Sequence, residues 1–209
     1  MNRRLFAGSL LGSMLALIVA RAVARETATP DADRVRISTR PGFVRSVSRA
    51  YRLPDPSFGD VMRGGLLGLQ VSGIEFDSPD TASAALAFLA SELPGYFART
   101  IEGVTGYDAV DEDVDRLGDE MSVQTVTIAF PEKDYVSELL FGIVLVRKDV
   151  FVQAAAGYGI EDATSQTVEV LAALDDHWPD NDLWSMVPEP TDVPDGLELV
   201  EEEALLPGE

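Results

Sequence analysis

Apolar residues recur with two different periods along this chain, and the places where the period changes mark out strands and helices. Leu66 to Phe76 is β-branched and apolar, broken by Gly68 and Gly73, which predicts a strand that bends or lies near a turn. From Ser78-Pro79-Asp80 onward the spacing becomes helical. Ala82, Ala85, Leu86, Leu89, Ala90 and Leu93 recur three and four apart, with a capping residue and a proline at the start and Pro94 as the expected stop. A polar, acid-rich stretch from Glu102 to Glu120 leads into three apolar runs of strand length, Met121 to Phe130, Val136 to Val146 and Val150 to Ala156. In the first run Val126, Ile128 and Phe130 share one face and Thr125 and Thr127 the other, so one side is expected to be partly exposed. The second, from Leu139 to Val146, is apolar on both faces and predicts a central, covered strand. Arg147-Lys148-Asp149 is a tight polar connection, so the second and third runs are expected to form an antiparallel hairpin. Between Asp162 and Trp178, Val168, Leu171, Leu174 and Trp178 return to helical spacing and predict a second amphipathic helix, whose apolar stripe needs a sheet.

The order is therefore strand, helix, strand meander, helix, without the alternating βαβ series that a parallel doubly wound sheet requires. That order predicts an α+β fold, a mainly antiparallel sheet packed by two amphipathic helices. It is expected to occupy residues 57–187. Residues 25–56 mix Thr, Pro, Asp and Arg with little periodicity and read as a linker followed by a peripheral segment. Residues 188–209 carry eight acids and no base, and read as an acidic, disordered tail. Leu197, Leu199, Val200, Leu205 and Leu206 would alternatively let that tail form a short amphipathic helix against a partner.

The start of the chain has a different pattern. Arg3 and Arg4 precede an uncharged apolar run from Leu5 to Ala20, which closes on Ala22-Val23-Ala24. This predicts a signal peptide over residues 1–24, cleaved before Arg25, and hence an exported protein, extracellular or in the cell envelope. The run is shorter than the roughly 20 apolar residues needed to cross a bilayer, which favours a leader over an anchor. Paired arginines followed by Leu5 and Phe6 resemble the twin-arginine signal, although a charged start also suits the general secretory route.

Charge narrows the possible partners. Sixteen Lys and Arg stand against 36 Asp and Glu, a net charge of −20 at pH 7. The leader holds three of the arginines and no acid, so its removal leaves the remainder more acidic still. Such a field repels nucleic acid and anionic lipid and favours cationic partners. Cysteine is absent, which excludes disulfides, thiol catalysis, iron–sulfur clusters and cysteine-bound zinc.

Three local features, Arg116-Leu117-Gly118-Asp119 before the meander, Val146 to Val152 at the hairpin and the closing helix, resemble a broad group of exported bacterial domains. The group includes extracellular sensor domains of membrane-bound Ser/Thr kinases, related surface lipoproteins and the PsbP-like fold. The resemblance spans about Leu66 to Trp178 and implies an α+β fold. Such sensor domains commonly carry paired cysteines and sit beside a membrane span. This sequence departs from both, so at most a detached ligand-binding or partner-binding module is implied.

Candidate chemistry is sparse. Asp111, Asp113 and Asp115 place carboxylates at alternate positions, matching the first three ligands of an EF-hand calcium loop. The glycine that such a loop requires is replaced by Arg116, and its final glutamate by Ser122, so a solvated acidic face competes with a calcium site. His177 is the sole histidine, among Asp175, Asp176 and Asp180. It suits a helix C-terminus as well as it suits acid–base work, and no Gly-x-Ser-x-Gly elbow supplies a nucleophile. Paired carboxylates for a small hydrolase, with or without calcium, remain open among so many acids. The expected function is non-enzymatic binding of a protein partner or a small ligand, with no cofactor beyond the possible calcium. The alternatives are the carboxylate-dependent hydrolase and an acidic accessory partner for a basic protein.

Overall fold

A computed structural model describes residues 37–54, 64–101, 104–129, 138–174 and 182–206. The expected leader, most of the segment before β1, and His177 with its neighbouring aspartates lie outside these residues. The strands are β1 (Phe43–Arg52), β2 (Leu66–Phe76), β3 (Gly106–Asp111), β4 (Glu120–Ala129), β5 (Glu138–Lys148), β6 (Phe151–Gly159) and β7 (Glu198–Leu205). The helices are α1 (Pro79–Thr100) and α2 (Ala163–Leu174). The strands form one sheet in the order β3-β4-β5-β6-β2-β1-β7, antiparallel at every pairing. The predicted α+β class is the observed one.

Alternation along the strands feeds two cores. Ile74, Val126, Ile128, Phe141, Ile143, Leu145, Val152 and Tyr158 point to the face covered by α1, where they meet Leu86, Leu89, Leu93 and Phe97. Phe97, Phe141 and Tyr158 stack in sequence, with ring centroids 4.9 Å and 5.7 Å apart. Val71, Val144, Val146 and Ala155 point the other way, toward Val170, Leu171 and Leu174 of α2 and toward Leu183, Met186 and Val187. β5 feeds both cores, as a strand apolar on both faces must. A short turn joins β5 to β6, with Asp149 in the left-handed region at φ 55°, a conformation that aspartate tolerates.

Four expectations need correction. The helix does not stop at Pro94: α1 runs to Thr100 with that proline inside it. Its last turns bury Tyr96 and Phe97, and that burial outweighs the hydrogen bond the proline cannot make. β1 lies within the segment read as linker or peripheral, and is a buried strand between β2 and β7. β3 arises in the acid-rich stretch, where every residue from Gly106 to Asp111 is exposed, so no apolar alternation marks it. β7 lies within the stretch read as a disordered tail or partner-binding helix, and pairs with β1 along its length.

β7 is held by an arginine that the sequence pattern gives no reason to bury. Arg49 is 8% exposed, and its register partner on β7 is Glu202. Its Nε donates to Glu202 at 2.7 Å, its Nη1 pairs with Glu189 at 2.8 Å and also donates to the Pro188 carbonyl at 3.2 Å. The guanidinium sits 5.0 Å from the Trp184 ring centroid. Burial opposes the Arg49 charge, yet Glu202 and Glu189 more than offset it and raise its pKa. Tyr51, two residues on, donates its hydroxyl to the same Pro188 carbonyl. Burial pushes that hydroxyl up to about 12 against the opposing charge of Arg49.

Candidate functional site

Where β4 begins, the connection from β3 to β4 lies beside α1. Leu86 of α1, Glu112, Asp113, Val114 and Arg116 of the connection, and Glu120, Met121 and Val123 of β4 enclose an open depression of about 460 Å³. Its lining mixes apolar side chains with charged ones, three carboxylates against one guanidinium.

Local geometry fixes the charged lining. The extended backbone of β3 continues for one residue, so the Glu112 N–H still donates to the Val123 carbonyl at 2.9 Å. Gly118 then turns the chain at φ 67°, and a Cβ there would lie 2.6 Å from the Arg147 carbonyl oxygen. Asp119 follows, and its N–H donates to that carbonyl at 2.7 Å. The Arg116-Leu117-Gly118-Asp119 motif thus positions Glu120. One Glu120 oxygen accepts from Ser83 Oγ of α1 at 2.8 Å, and the other accepts from Arg147 Nη2 of β5 at 2.9 Å. The Ser83 hydrogen bond, with Arg147 adding to it, lowers the Glu120 pKa from the ordinary 4.5.

A lowered carboxyl pKa has a definite sign. The stability that Glu120 contributes is complete above its ordinary pKa and is lost as pH falls through the lowered value. Urea midpoints of the wild-type protein and of Glu120→Gln should therefore differ at pH 7 and converge in acid. A gap that persists unchanged down to pH 3 would contradict this assignment.

The three aspartates of the calcium reading are placed as follows. Asp111 ends β3, where it accepts from Gln124 Nε2 at 2.9 Å. Asp113 lines the depression, and Asp115 lies in the exposed connection beyond it. The structure does not bring the three together: among the described residues no three His, Cys, Asp or Glu side chains are grouped to hold a metal ion. Sequence reasoning found Asp113 but missed Glu120 and Leu86, which reach the site only through the packing of α1. Among the described aromatics, Tyr96, Phe97 and Tyr158 are core, Trp184 lies against Arg49, and Tyr107 is exposed on β3.

Among the described residues no helix is long and apolar enough to cross a membrane. No family model and no curated protein matches the chain. One solved structure, the extracellular domain of PknH from Mycobacterium tuberculosis, aligns at 13% identity over 48% of this chain and 51% of its own length, with a TM-score of 0.29. The chain thus spans about half of that domain, and the likeness is too slight to bear on the fold or role of this protein.

Proposed function

We propose that this protein is an exported, non-enzymatic binding module whose depression beside β4 receives a cationic group of a protein partner or small ligand. The observation that carries this reading is the charged lining: Glu112, Asp113 and Glu120 around an open concavity, with Arg116 the opposing charge. A net charge of −20 adds a long-range attraction for cations, which speeds encounter and repels anionic competitors. Glu120 is tethered by Ser83 and Arg147, and Thr125 Oγ1 holds one Glu112 oxygen at 2.8 Å, so two of the three carboxylates are positioned by the protein itself. Preorganised acceptors lose less entropy on binding. The leader read over Met1 to Ala24 supports the cellular address.

Hexa-arginine peptide titrated into the full chain tests the site. Replacing Glu112 and Asp113 together by Gln and Asn is expected to weaken binding about three- to tenfold, since exposed ion pairs contribute about 0.2–1 kcal/mol each. The double variant Glu161→Gln with Glu169→Gln removes the same charge from exposed positions next to and on α2 and should weaken it far less. Equal losses in the two would reduce the attraction to overall charge and sink the proposed site.

A further inference from the structure

The opposite end of the sheet holds polar atoms that the binding reading does not use. On the α1 side of β2, Gln70 and Ser72 are 2% and 1% exposed, and Gln70 Oε1 and Ser72 Oγ have no hydrogen-bond partner. Buried polar atoms without partners are rare and costly, which makes them pointers to a missing partner. Strand register sets them in line with further polar groups. Ser72 pairs with Ser48 on β1, and Ser48 with Glu203 on β7. Gln70 pairs with Ala50, and Ala50 with Glu201. Glu203 Oε2 is likewise buried without a partner. Burial, reinforced by Glu201, raises the Glu203 pKa.

The floor between these groups is built from short side chains. Ala50 lies between Gln70 and Glu201, while Ala154 and Ala156 on β6 flank Ser72 and Gln70 from the other side. α1 packs chiefly over β5 and β4, so this row runs away from the helix toward the open edge strand β7. Burial declines along the same line, from Gln70 and Ser72 at the inner end to half-buried Glu203 at the edge. Arg52 stands four residues beyond Ser48 on β1, where its charge reaches Tyr158.

We propose that this row is a second binding site, entered from the β7 edge, for a small primary alkylammonium, with Glu203, Gln70 and Ser72 accepting from its N–H groups and the alanines receiving its methylenes. An ammonium offers three donors and no acceptor, which complements two unpartnered acceptor oxygens and a hydroxyl. Its charge answers a carboxylate whose Oε2 has no hydrogen-bond partner. The site is separate from the depression beside β4 and does not depend on that reading, because the two lie at opposite ends of the sheet.

The test is an amide NMR titration of the full chain with n-butylammonium chloride, with tetramethylammonium, a cation without donors, as the control. Saturable shifts at Ser48, Gln70, Ser72 and Glu203 are expected with butylammonium and not with tetramethylammonium. Glu203→Gln, a change on a half-buried edge strand, should weaken the effect about tenfold or more, as loss of a charge-assisted hydrogen bond does. Gln70→Leu should abolish it, with circular dichroism reporting that the fold is kept; should that variant not fold, Ser72→Ala takes its place and should weaken binding. Identical responses to the two cations, or undiminished binding in Glu203→Gln, would overturn the proposal and leave the orphan atoms to ordered water.

Discussion

Ending the chain at Val187 is expected to abolish cooperative folding, although the residues removed are rich in acid and include no base. Val193, Leu197 and Leu205 are each buried to 9% exposure or less against the sheet. At about 2 kcal/mol for each large apolar side chain taken out of water, their loss alone comes to roughly 6 kcal/mol. Whole domains are stable by only about 5–15 kcal/mol. The truncation also removes the Pro188 carbonyl that receives Arg49 and Tyr51, and both carboxylates that pair with Arg49. The Arg49 guanidinium would lose these hydrogen-bond partners, and β1 would become an edge without its partner strand. Arg49→Met in the full-length chain separates the clamp from the apolar cover. It keeps the stem and loses the charged hydrogen bonds, and is expected to cost about 2–3 kcal/mol while leaving a folded protein. Urea denaturation followed by circular dichroism measures both. A truncated chain that unfolds cooperatively at the full-length midpoint would show β7 to be dispensable.

That expectation runs against the plain reading of the sequence, and the reason is physical. Hydrophobic period reports a strand only when one or both faces are apolar. β2, β4, β5 and β6 meet that condition, and α1 and α2 meet the helical one, so the centre of the sheet and its two covers were legible. β1 does not: Ser46, Ser48 and Arg49 are buried polar residues, made tolerable by neighbours that the sequence places 140 or more positions away. β7 presents glutamates on both faces, one answering Arg49 and another, Glu203, half-buried opposite Ser48, so its pattern is acidic where a strand would be expected to be apolar. β3 is exposed throughout and is defined by its ladder to β4 alone.

The candidate sites divide in the same way. Asp113 and Arg116 belong to a run of charges visible in the sequence, but the concavity beside them depends on where α1 lays Leu86 and Ser83. Gln70 and Ser72 interrupt an otherwise apolar strand, which was a readable signal of buried polarity. Their alignment with Ser48 and Glu203 was not readable, because it requires the register of two strands whose existence the pattern did not announce.

Gly142→Val should be among the most damaging single substitutions in the chain, at a position that looks like an incidental small residue in an apolar run. Gly142 on β5 pairs directly with Gly157 on β6, and both face α2. The two glycines form a trough that lets the first turns of the helix approach the sheet backbone. A Cβ at Gly142 would stand 2.4 Å from Thr164 Cα, 2.7 Å from its nitrogen and 2.8 Å from the Ala163 carbonyl oxygen. These are backbone atoms and cannot turn aside as a flexible side chain can. Thr167, one turn later, occupies the space over Gly157 and donates its hydroxyl to Ala163 at 2.6 Å, so the helix has no slack to slide into. Two further methyls would lift α2 from the sheet and uncouple Val170, Leu171 and Leu174 from Val144 and Ala155. The expected loss is about 3 kcal/mol or more, at the upper end of the overpacking range, with Gly142→Ala intermediate. Gly106→Val supplies the contrast, since nothing lies within 4 Å of a Cβ there. A surface change of that kind should stay within about 0.5 kcal/mol. Urea midpoints falling in the order Gly106→Val, Gly142→Ala, Gly142→Val would establish that α2 is seated by the absence of a side chain, whereas a Gly142→Val midpoint equal to that of the wild type would refute the close approach.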